Sequence, residues 1–408
     1  MMNKLRIIVA VTALLAGVAG HALHRDTAVD EQALLTEMAP DEAFSKKSGV
    51  PPHYRSTQGV VAFNSSDAAP GIRGYAGPIK VLLVLGEDGR IRGIRIIEHS
   101  ETKNYIHYME TPAYLGRFIG KSIFDPFEVD RDVDGISRAT VSVEALATTV
   151  RESSRAVATS AYGFEVRPDV TKAPSGAKWI AYAFLFLLAA AGYAVSRRSR
   201  GFERLRDVFL IASVAIVGFY LSSPFSILHV FNLLLLRIPS SVLWYVVVIS
   251  TIATAVLAGR FYCGWLCPFG ALAEFIGRIP VRKWSVPREQ DDRWRNLKYL
   301  LLTVTLAAVL ASGRVEFGNY EAYITLFAYH GSVVAWALVG SALIANLRIK
   351  RLWCRYLCPV AALTGLLSRR DPAYVSRPDC PMDNPPNPDI SECIRCNRCI
   401  QPGEARST

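Results

Sequence analysis

Eight cysteines carry the most specific chemistry in this chain of 408 residues. Four of them lie in the C-terminal tail, where Cys380 precedes Pro381 and is followed by the run Cys393, Cys396 and Cys399. A Cys-x-x-Cys-x-x-Cys run lets one short loop bind three corners of a cubane iron–sulfur cluster, and a distant cysteine completes the set. We therefore predict that these four thiolates hold one 4Fe-4S cluster. Zinc binds the same type of ligand and is the less favoured alternative.

The other four cysteines belong to an internal repeat. Its copies run from Arg260 to Leu272 and from Arg351 to Leu363, with Cys263 and Cys267 in the first and Cys354 and Cys358 in the second. A step of four residues is about one helical turn, so the two thiols of each pair are expected to lie on the same side of a helix. The proline after the second cysteine is expected to kink the backbone that follows or to free it from the helical hydrogen bonds. Two such turns would form a four-thiolate site for a second metal or cluster. The alternative, small buried residues in a duplicated packing element, does not explain why Cys-x-x-x-Cys-Pro occurs twice.

Apolar segments position these cysteines. The chain is 51% hydrophobic and 20% charged, which is too apolar for one ordinary soluble domain and excludes a disordered chain. A helix needs about 17 to 20 apolar residues to cross a bilayer. The candidate runs are Trp179 to Val195, Val208 to Leu221, Val242 to Leu257, Tyr299 to Ala311 and Val333 to Leu347. Each cysteine repeat directly follows one of these runs, so we predict a polytopic α-helical membrane domain over residues 178–370.

The net charge of +11 predicts an orientation. Lys and Arg cluster after the first, third and fifth apolar runs, and cytoplasmic loops retain basic residues. Residues 24–177 then lie outside the bacterial inner membrane, the tail of residues 371–408 is cytoplasmic, and no nucleic-acid partner is expected. In the reducing cytoplasm, clustered thiols hold metal or do redox chemistry more often than they form structural disulfides. Residues 1–23 start basic and continue apolar, which fits a signal peptide or an uncleaved signal anchor.

Residues 24–177 have the composition of one soluble domain. Ile79 to Leu85 and Ile91 to Ile97 read as strands, and Gly86 to Gly89 between them reads as the turn of a hairpin. Further on, Asp134 to Ser142 leads into a helix-like stretch, Val143 to Ala158. In the plain interpretation, the hydroxyl residues of that segment only cap the helix.

Three segments of this domain carry a family resemblance. Gly74 to Lys80, Glu98 to Thr102 and Asp134 to Ser142 resemble the exported FMN-binding domain of Rnf/Nqr flavin subunits. Together with the doubled Cys-x-x-x-Cys-Pro and the tail, the whole chain resembles NosR/NirI-type membrane flavoproteins, to which RdhC-type proteins are similar. The resemblance implies an α+β exported FMN-binding domain, a polytopic α-helical membrane domain and a short ferredoxin-like iron–sulfur tail. It also implies that Thr140 carries FMN through a phosphoester bond.

The resemblance implies further flavin-binding residues. They are Gly74, Tyr75, Glu101, Thr102, Asp134, Ser137, Arg138, Ala139 and Ser142. Arg138 occupies a position where the family pattern has glycine, which would allow a positive φ at no steric cost. A guanidinium can instead donate paired hydrogen bonds to phosphate oxygens.

Transmembrane electron transfer is the function that the resemblance implies. Electrons would pass between a cytoplasmic iron–sulfur cluster and the outer FMN, and would supply an exported reductase or its maturation factors. The source would be a cytoplasmic donor or membrane quinol, so the protein would be an electron-transfer flavoprotein without a substrate of its own. One alternative is a redox-sensing membrane regulator or assembly factor of an anaerobic respiratory system. Another is a thiol–disulfide relay through the two Cys-x-x-x-Cys pairs.

Overall fold

The computed structural model divides the chain into two compact units. One comprises His24–Pro174 with Asn232–Ser241, and the other comprises Met1–Leu23, Ser175–Phe231 and Val242–Thr408. The structure describes residues 8–9, 11–12, 15–17, 19–20, 29–74, 77–99, 101, 103–136, 140–166, 177–198, 203–236, 239, 241–318, 320–329, 331–368, 380–382 and 392–399.

An antiparallel sheet organises the unit that begins at His24. Its strands are β1 Tyr54–Arg55, β2 Val61–Asn64, β3 Lys80–Leu85 and β4 Ile91–Glu98, in the spatial order β1-β2-β3-β4. The predicted hairpin is confirmed, because β3 pairs with β4 in antiparallel register. Gly89 in the connecting turn has φ 71°, a left-handed conformation that glycine adopts without strain.

Helices cover both faces of this sheet. They are α1 Glu31–Met38, α2 Ser65–Ala68, α3 Lys103–Met109, α4 Pro112–Leu115 and α5 Thr140–Tyr162. Successive strand residues point to opposite faces, so Phe63 and Leu83 lie in the apolar layer that also contains Leu146 of α5. Leu82 lies in the opposite layer with Leu35 of α1. The predicted α+β architecture of this unit is therefore present, and α5 is longer at both ends than the stretch expected from sequence.

The regular elements of the other unit are helices within the described residues. The helices in this part of the chain are α6 Ala177–Ser196, α7 Glu203–Ala212, which continues as a π-helix over Ser213–Tyr220, α8 Ile227–Leu234, α9 Val242–Ala258, α10 Phe261–Trp265, α11 Pro268–Gly277, α12 Arg288–Arg295, α13 Leu297–Ser312, α14 Ala322–Ala328, α15 Val333–Ala345, α16 Leu352–Tyr356 and α17 Pro359–Leu367. The tail contributes Cys380 to Met382 and Glu392 to Cys399.

The apolar runs expected to span a membrane fall on helices. Within the described residues, Lys178–Ser196 alone is both long and apolar enough to cross a bilayer by itself. Ala322–Ala328 and Val333–Ala345 would supply a second crossing if they formed one span, but they meet at 107°. Val242–Ala258 is apolar but shorter. The multi-pass architecture therefore stays a prediction.

Candidate metal centre and flavin site

Each Cys-x-x-x-Cys-Pro motif is divided between two helices. Cys263 lies in α10, whereas Cys267 precedes α11, whose first residue is Pro268. Proline has no N–H to continue a helix and moves the residue before it into an extended conformation, and Cys267 accordingly has φ −74° and ψ 112°. The two thiols therefore do not share one helical turn, contrary to the prediction. Instead, Cys267 Sγ accepts a hydrogen bond from Gly270 N at 3.4 Å and caps α11.

The second copy repeats this arrangement. Cys354 lies in α16, and Cys358 precedes Pro359 of α17 with φ −69° and ψ 118°. Its Sγ accepts a hydrogen bond from Ala361 N at 3.4 Å. The same local sequence therefore produces the same thiol placement twice.

The two copies meet at one cavity that all four of their thiols line. Its other lining residues are Phe225, Phe269, Tyr323, Trp353, Val360 and Ala361. Cys263 Sγ lies 3.7 Å from Thr364 Oγ1 of α17, a direct contact between the copies. All eight cysteines of the chain are free thiols. The structure thus places together the four residues that the repeat predicted as a thiolate site.

The spacing of these thiols differs from that of a single-ion site. Zinc holds its sulfur ligands at about 2.3 Å from one centre. Within the described residues, no three His, Cys, Asp or Glu side chains converge closely enough to hold one ion. The cavity thiols instead surround a shared space, as thiolates at the corners of a cubane cluster do.

Arginines of the repeat supply positive charge beside the cavity. Arg260 and Arg351 hold the same position in the two copies, and both are fully buried. The Nε atoms of both and Nη2 of Arg260 have no hydrogen-bond partner within the described part of the chain. Burial works against its charge, but Cys263 and then Glu392 raise the pKa of Arg260 above its usual value. Buried N–H groups without partners near four thiols fit an anionic, thiolate-bound iron–sulfur cluster.

Glu274 of α11 compensates part of this charge. Its carboxylate accepts two hydrogen bonds of 2.7 Å from Arg206 and one of 2.6 Å from Arg351. Arg206 belongs to the basic cluster after the first apolar run, which the sequence analysis uses as an orientation signal, and it is buried, with 2% of its surface exposed. The shared offset of Arg260 and Arg351 before the first cysteine of each copy was the available signal for this buried network.

A second buried acid anchors the tail. Glu392 accepts hydrogen bonds from Arg260 Nη1 at 3.0 Å, Lys298 Nζ at 2.5 Å and Tyr299 OH at 2.7 Å. Burial alone would raise the pKa of this carboxyl, but Lys298 and Arg260 lower it to about 2. Glu392 therefore stays ionised and fixes the start of the Cys-x-x-Cys-x-x-Cys loop.

The described part of the tail brings its cysteines near one another. Burial first, and then the neighbouring Cys396, raise the pKa of Cys393 to about 12, with a smaller effect from Cys399. Burial, with a smaller contribution from Cys396, also raises the pKa of the distant Cys380. The backbone N–H of Arg395 donates to Cys393 Sγ at 3.4 Å. Cys396 therefore interacts electrostatically with both Cys393 and Cys380, and the four-thiolate cluster of the tail stays a prediction.

This tail loop packs against the first repeat. A Cβ on Gly264 of α10 would lie 1.9 Å from the carbonyl oxygen of Ile394, so only glycine allows this approach. Trp265 Nε1 donates to the carbonyl oxygen of Arg395 at 2.9 Å. The two sets of four cysteines are therefore neighbours within one unit.

Three of the predicted flavin residues meet in the sheet-containing unit. Ser142 Oγ donates to Glu101 Oε2 at 2.7 Å, and both residues are buried. A Cβ on Gly74 would lie 2.3 Å from Glu101 Oε1, so Gly74 must lack a side chain. Ser142 therefore orients Glu101 and does not act only as a helix cap.

Helix α5 begins at Thr140, inside the segment Asp134 to Ser142 that is expected to carry FMN. The first N–H groups of a helix lack intrahelical partners and attract phosphate, so the helix start fits the phosphate of FMN. Asp134 contributes its carbonyl oxygen to Tyr114 OH at 3.0 Å, while its exposed carboxylate pairs with Arg117. The predictions for Tyr75, Thr102, Ser137, Arg138, Ala139 and the Thr140 side chain lie outside the described residues.

Two family models match the regions that contain these sites. The model described as "FMN-binding domain" matches residues 74–154, which include every predicted flavin residue. The model described as "4Fe-4S binding domain" matches residues 240–287 and 329–375. Those ranges contain both Cys-x-x-x-Cys-Pro copies and end before Cys380. The 4Fe-4S match therefore lies on the repeat, where the sequence predicts a second metal or cluster, and does not reach the tail, where the sequence predicts a 4Fe-4S cluster.

Several curated proteins align with parts of this chain. The Regulatory protein NosR of Pseudomonas aeruginosa is 31% identical over 189 residues, which is 42% of this chain and 26% of that protein. Protein NirI of Paracoccus denitrificans is 31% identical over 201 residues, 44% of this chain and 29% of that protein. The chain is a flavo-iron–sulfur protein of the NosR/NirI type. A further relative, the Putative electron transport protein YccM of Escherichia coli K12, is 30% identical over 166 residues, 38% of this chain and 43% of that protein.

The aligned part of this NosR/NirI-type chain spans between about a quarter and under half of the length of these relatives. No solved structure matches it.

Proposed function

We propose that this NosR/NirI-type protein transfers electrons between two cysteine-bound iron–sulfur clusters and a covalently bound FMN on the outer side of the bacterial inner membrane. The observation that carries the proposal is the contact of the two four-cysteine sets through Gly264 and Ile394. A single structural metal would need only one set. Two adjacent sets in a chain that also has an FMN-binding domain provide the carriers of an electron-transfer path.

The repeat residues would bind the cluster of the cavity and keep water away from it. Thiolate-held clusters exchange single electrons, whereas FMN exchanges one or two. The four cavity cysteines would bind iron, and the aromatic and aliphatic lining would exclude water from them. Arg260 and Arg351 would offset the negative charge of the thiolates, while Glu274 and Glu392 keep both guanidinium groups in place.

The sheet-containing unit would hold the flavin. Thr140 would bind FMN through its hydroxyl oxygen, at a helix start that favours phosphate. Glu101, fixed by Ser142, would contact the flavin from a buried position. Arg138 would donate to the phosphate in place of the glycine that the family has there.

The direction of transfer follows from the predicted orientation. With the cysteine sets on the cytoplasmic side of a multi-pass membrane domain and the flavin domain outside, electrons would leave the cell interior. A cytoplasmic donor or membrane quinol would supply them, and an exported reductase or its maturation factors would receive them. The printed name of YccM, a putative electron transport protein, supports this class of function.

A redox-sensing regulator of an anaerobic respiratory system is the second candidate. The observation that favours it is the printed name of the relative NosR, a regulatory protein. In that case the same clusters and flavin would report the redox state, and their reduction would change the binding of a partner without sustained electron flow.

Cofactor analysis of the full chain, purified from membranes, tests the proposal. We expect flavin, iron and acid-labile sulfide for two clusters, all reduced in one titration and reoxidised by an external acceptor. The double variant Cys267→Ser/Cys358→Ser should lose one cluster, and Cys393→Ser/Cys396→Ser the other. Thr364→Val, which removes a hydroxyl beside Cys263 that is not a proposed ligand, should keep both. Clusters that reduce while the flavin stays oxidised would refute electron transfer and favour the regulator.

A further inference from the structure

Trp353 is a side chain of the cavity wall whose indole N–H has no hydrogen-bond partner within the described residues. Trp353 is 2% exposed. The same side chain lines the cavity that the four thiols of the repeat share. A buried donor without an acceptor destabilises a fold, so its retention here points to an acceptor that belongs in the cavity.

The corresponding aromatic groups of the repeat are satisfied. Tyr262 holds the position of Trp353 in the first copy, and its hydroxyl accepts a hydrogen bond from Phe225 N at 2.7 Å. Trp265 donates to the carbonyl oxygen of Arg395, and Tyr356 OH donates to Asp291 at 2.5 Å. Among these aromatic side chains of the repeat, Trp353 is therefore the one whose donor has no partner within the described residues.

We propose that Trp353 Nε1 donates a hydrogen bond to a sulfur atom of the iron–sulfur cluster held by the four repeat cysteines, and that this bond raises the reduction potential of that cluster. The inference rests on the proposed function, because it needs a cluster in the cavity. Hydrogen bonds to cluster sulfurs are one of the determinants of cluster potential. Reduction adds one electron to the cluster, and a donor N–H stabilises the more negative state.

The position of Trp353 would make the two iron–sulfur clusters differ in reduction potential. Trp265, the tryptophan next to the tail loop, donates to a backbone carbonyl instead of to the cavity. The repeat cluster would therefore have the higher potential of the pair because of this donor, and Trp353 would act as a residue that sets the potential and binds no iron. A buried water as the acceptor is the competing occupant, since a water also accepts hydrogen bonds.

A redox titration followed by electron paramagnetic resonance tests the bond. The signal of the repeat cluster is identified as the one that is lost in Cys267→Ser/Cys358→Ser and kept in Cys396→Ala. In Trp353→Phe we expect about a tenfold lower equilibrium constant for its reduction, a fall of about 59 mV for a one-electron couple. An unchanged potential in Trp353→Phe would overturn the proposal.

Phe269→Leu is the matched control. Phe269 lines the same cavity and packs against the Trp353 ring with centroids 6.4 Å apart, but it has no N–H. This change should leave the equilibrium constant for reduction of the repeat cluster within about threefold of its value in the unmodified protein. An equal fall in both variants would assign the effect to packing and would also overturn the proposal.

A measurement on the unmodified protein decides the matter if Trp353→Phe does not assemble the cluster. With ¹⁵N-indole tryptophan, pulsed resonance of the reduced repeat cluster should show a nitrogen coupling and an exchangeable proton coupling. An exchangeable proton without nitrogen coupling would indicate water and overturn the role of Trp353. A preparation without any cluster signal from the repeat would instead refute the function on which the inference rests.

Discussion

At the residue scale, the two cofactor sites rely on different physical devices. Glu101 and Ser142 form a buried polar pair against Gly74, so the predicted flavin site contains a small hydrogen-bonded cradle. The repeat cysteines lie in an apolar cavity, where Arg260 and Arg351 supply the compensating charge.

Replacing Thr140 with valine tests the flavin attachment. Valine keeps the shape of threonine but has no hydroxyl to form a phosphoester, so we expect no flavin in acid-precipitated Thr140→Val protein. Thr148→Val, on the same helix α5, should retain the flavin. Fluorescence of the precipitated, washed protein measures the result. Flavin that stays covalently attached in Thr140→Val would move the attachment to another residue.

Replacing Glu274 with glutamine tests the buried charge network. The change leaves Arg206 and Arg351 buried without their carboxylate, and breaking a buried ion pair from one side costs about 3 to 5 kcal/mol. Asp207→Asn is the control, because Asp207 pairs with the half-exposed Arg278. A pair of that kind contributes about 0 to 1 kcal/mol. Thermal unfolding of both variants checks the difference, and equal losses would contradict the network.

At the scale of elements, a close backbone approach helps to couple the tail to the repeat. Helix α10 meets the tail loop where Gly264 faces the carbonyl oxygen of Ile394. Arg395 and Asn397 in that loop have positive φ values of 56° and 62°, which let the short chain turn around its cysteines. Because helix α10 also carries Cys263, the loop and the cavity share one support.

Gly264→Val should separate the tail loop from α10. The valine side chain would overlap the Ile394 carbonyl, so we expect loss of the tail cluster and faster alkylation of Cys393 and Cys399. Gly340→Val in α15 adds the same side chain where nothing lies within 4 Å of the added Cβ, and it should retain both clusters. Iron content and mass spectrometry after alkylation give the readout. A full iron content in Gly264→Val would contradict the coupling.

At the scale of the whole molecule, the two redox chemistries belong to separate units. The residues of the flavin site all fall in one compact unit, and all eight cysteines fall in the other. This division matches the two family models, one on residues 74–154 and the other on the cysteine repeat. Electron transfer between the units is the proposal that the predicted orientation adds.

Labelling of introduced cysteines tests that orientation. Arg131 is exposed in the sheet-containing unit, and Arg293 is exposed in α12. A membrane-impermeant maleimide added to intact cells should react with Arg131→Cys and should reach Arg293→Cys only after lysis. The unmodified chain, whose thiols would be bound to iron under the proposed function, serves as the control. Labelling of Arg293→Cys from outside would reverse the predicted topology.

The sequence by itself determined the chemistry and the local elements. The spacing of cysteines identified both thiolate sets, and the alternation from Ile79 to Ile97 identified the hairpin, because these patterns act over a few residues. It also located the segments whose family resemblance the matches support.

Only the tertiary structure decided which distant residues contact one another. It broke the expected helical turn at Pro268, joined the two repeats around one cavity and placed the tail loop on Gly264. It also showed that Arg206 is a buried partner of Glu274. Trp353 lines the cavity, and its Nε1 has no hydrogen-bond partner within the described residues. These contacts join residues far apart in the chain, and burial and pairing depend on three-dimensional packing that no local pattern encodes.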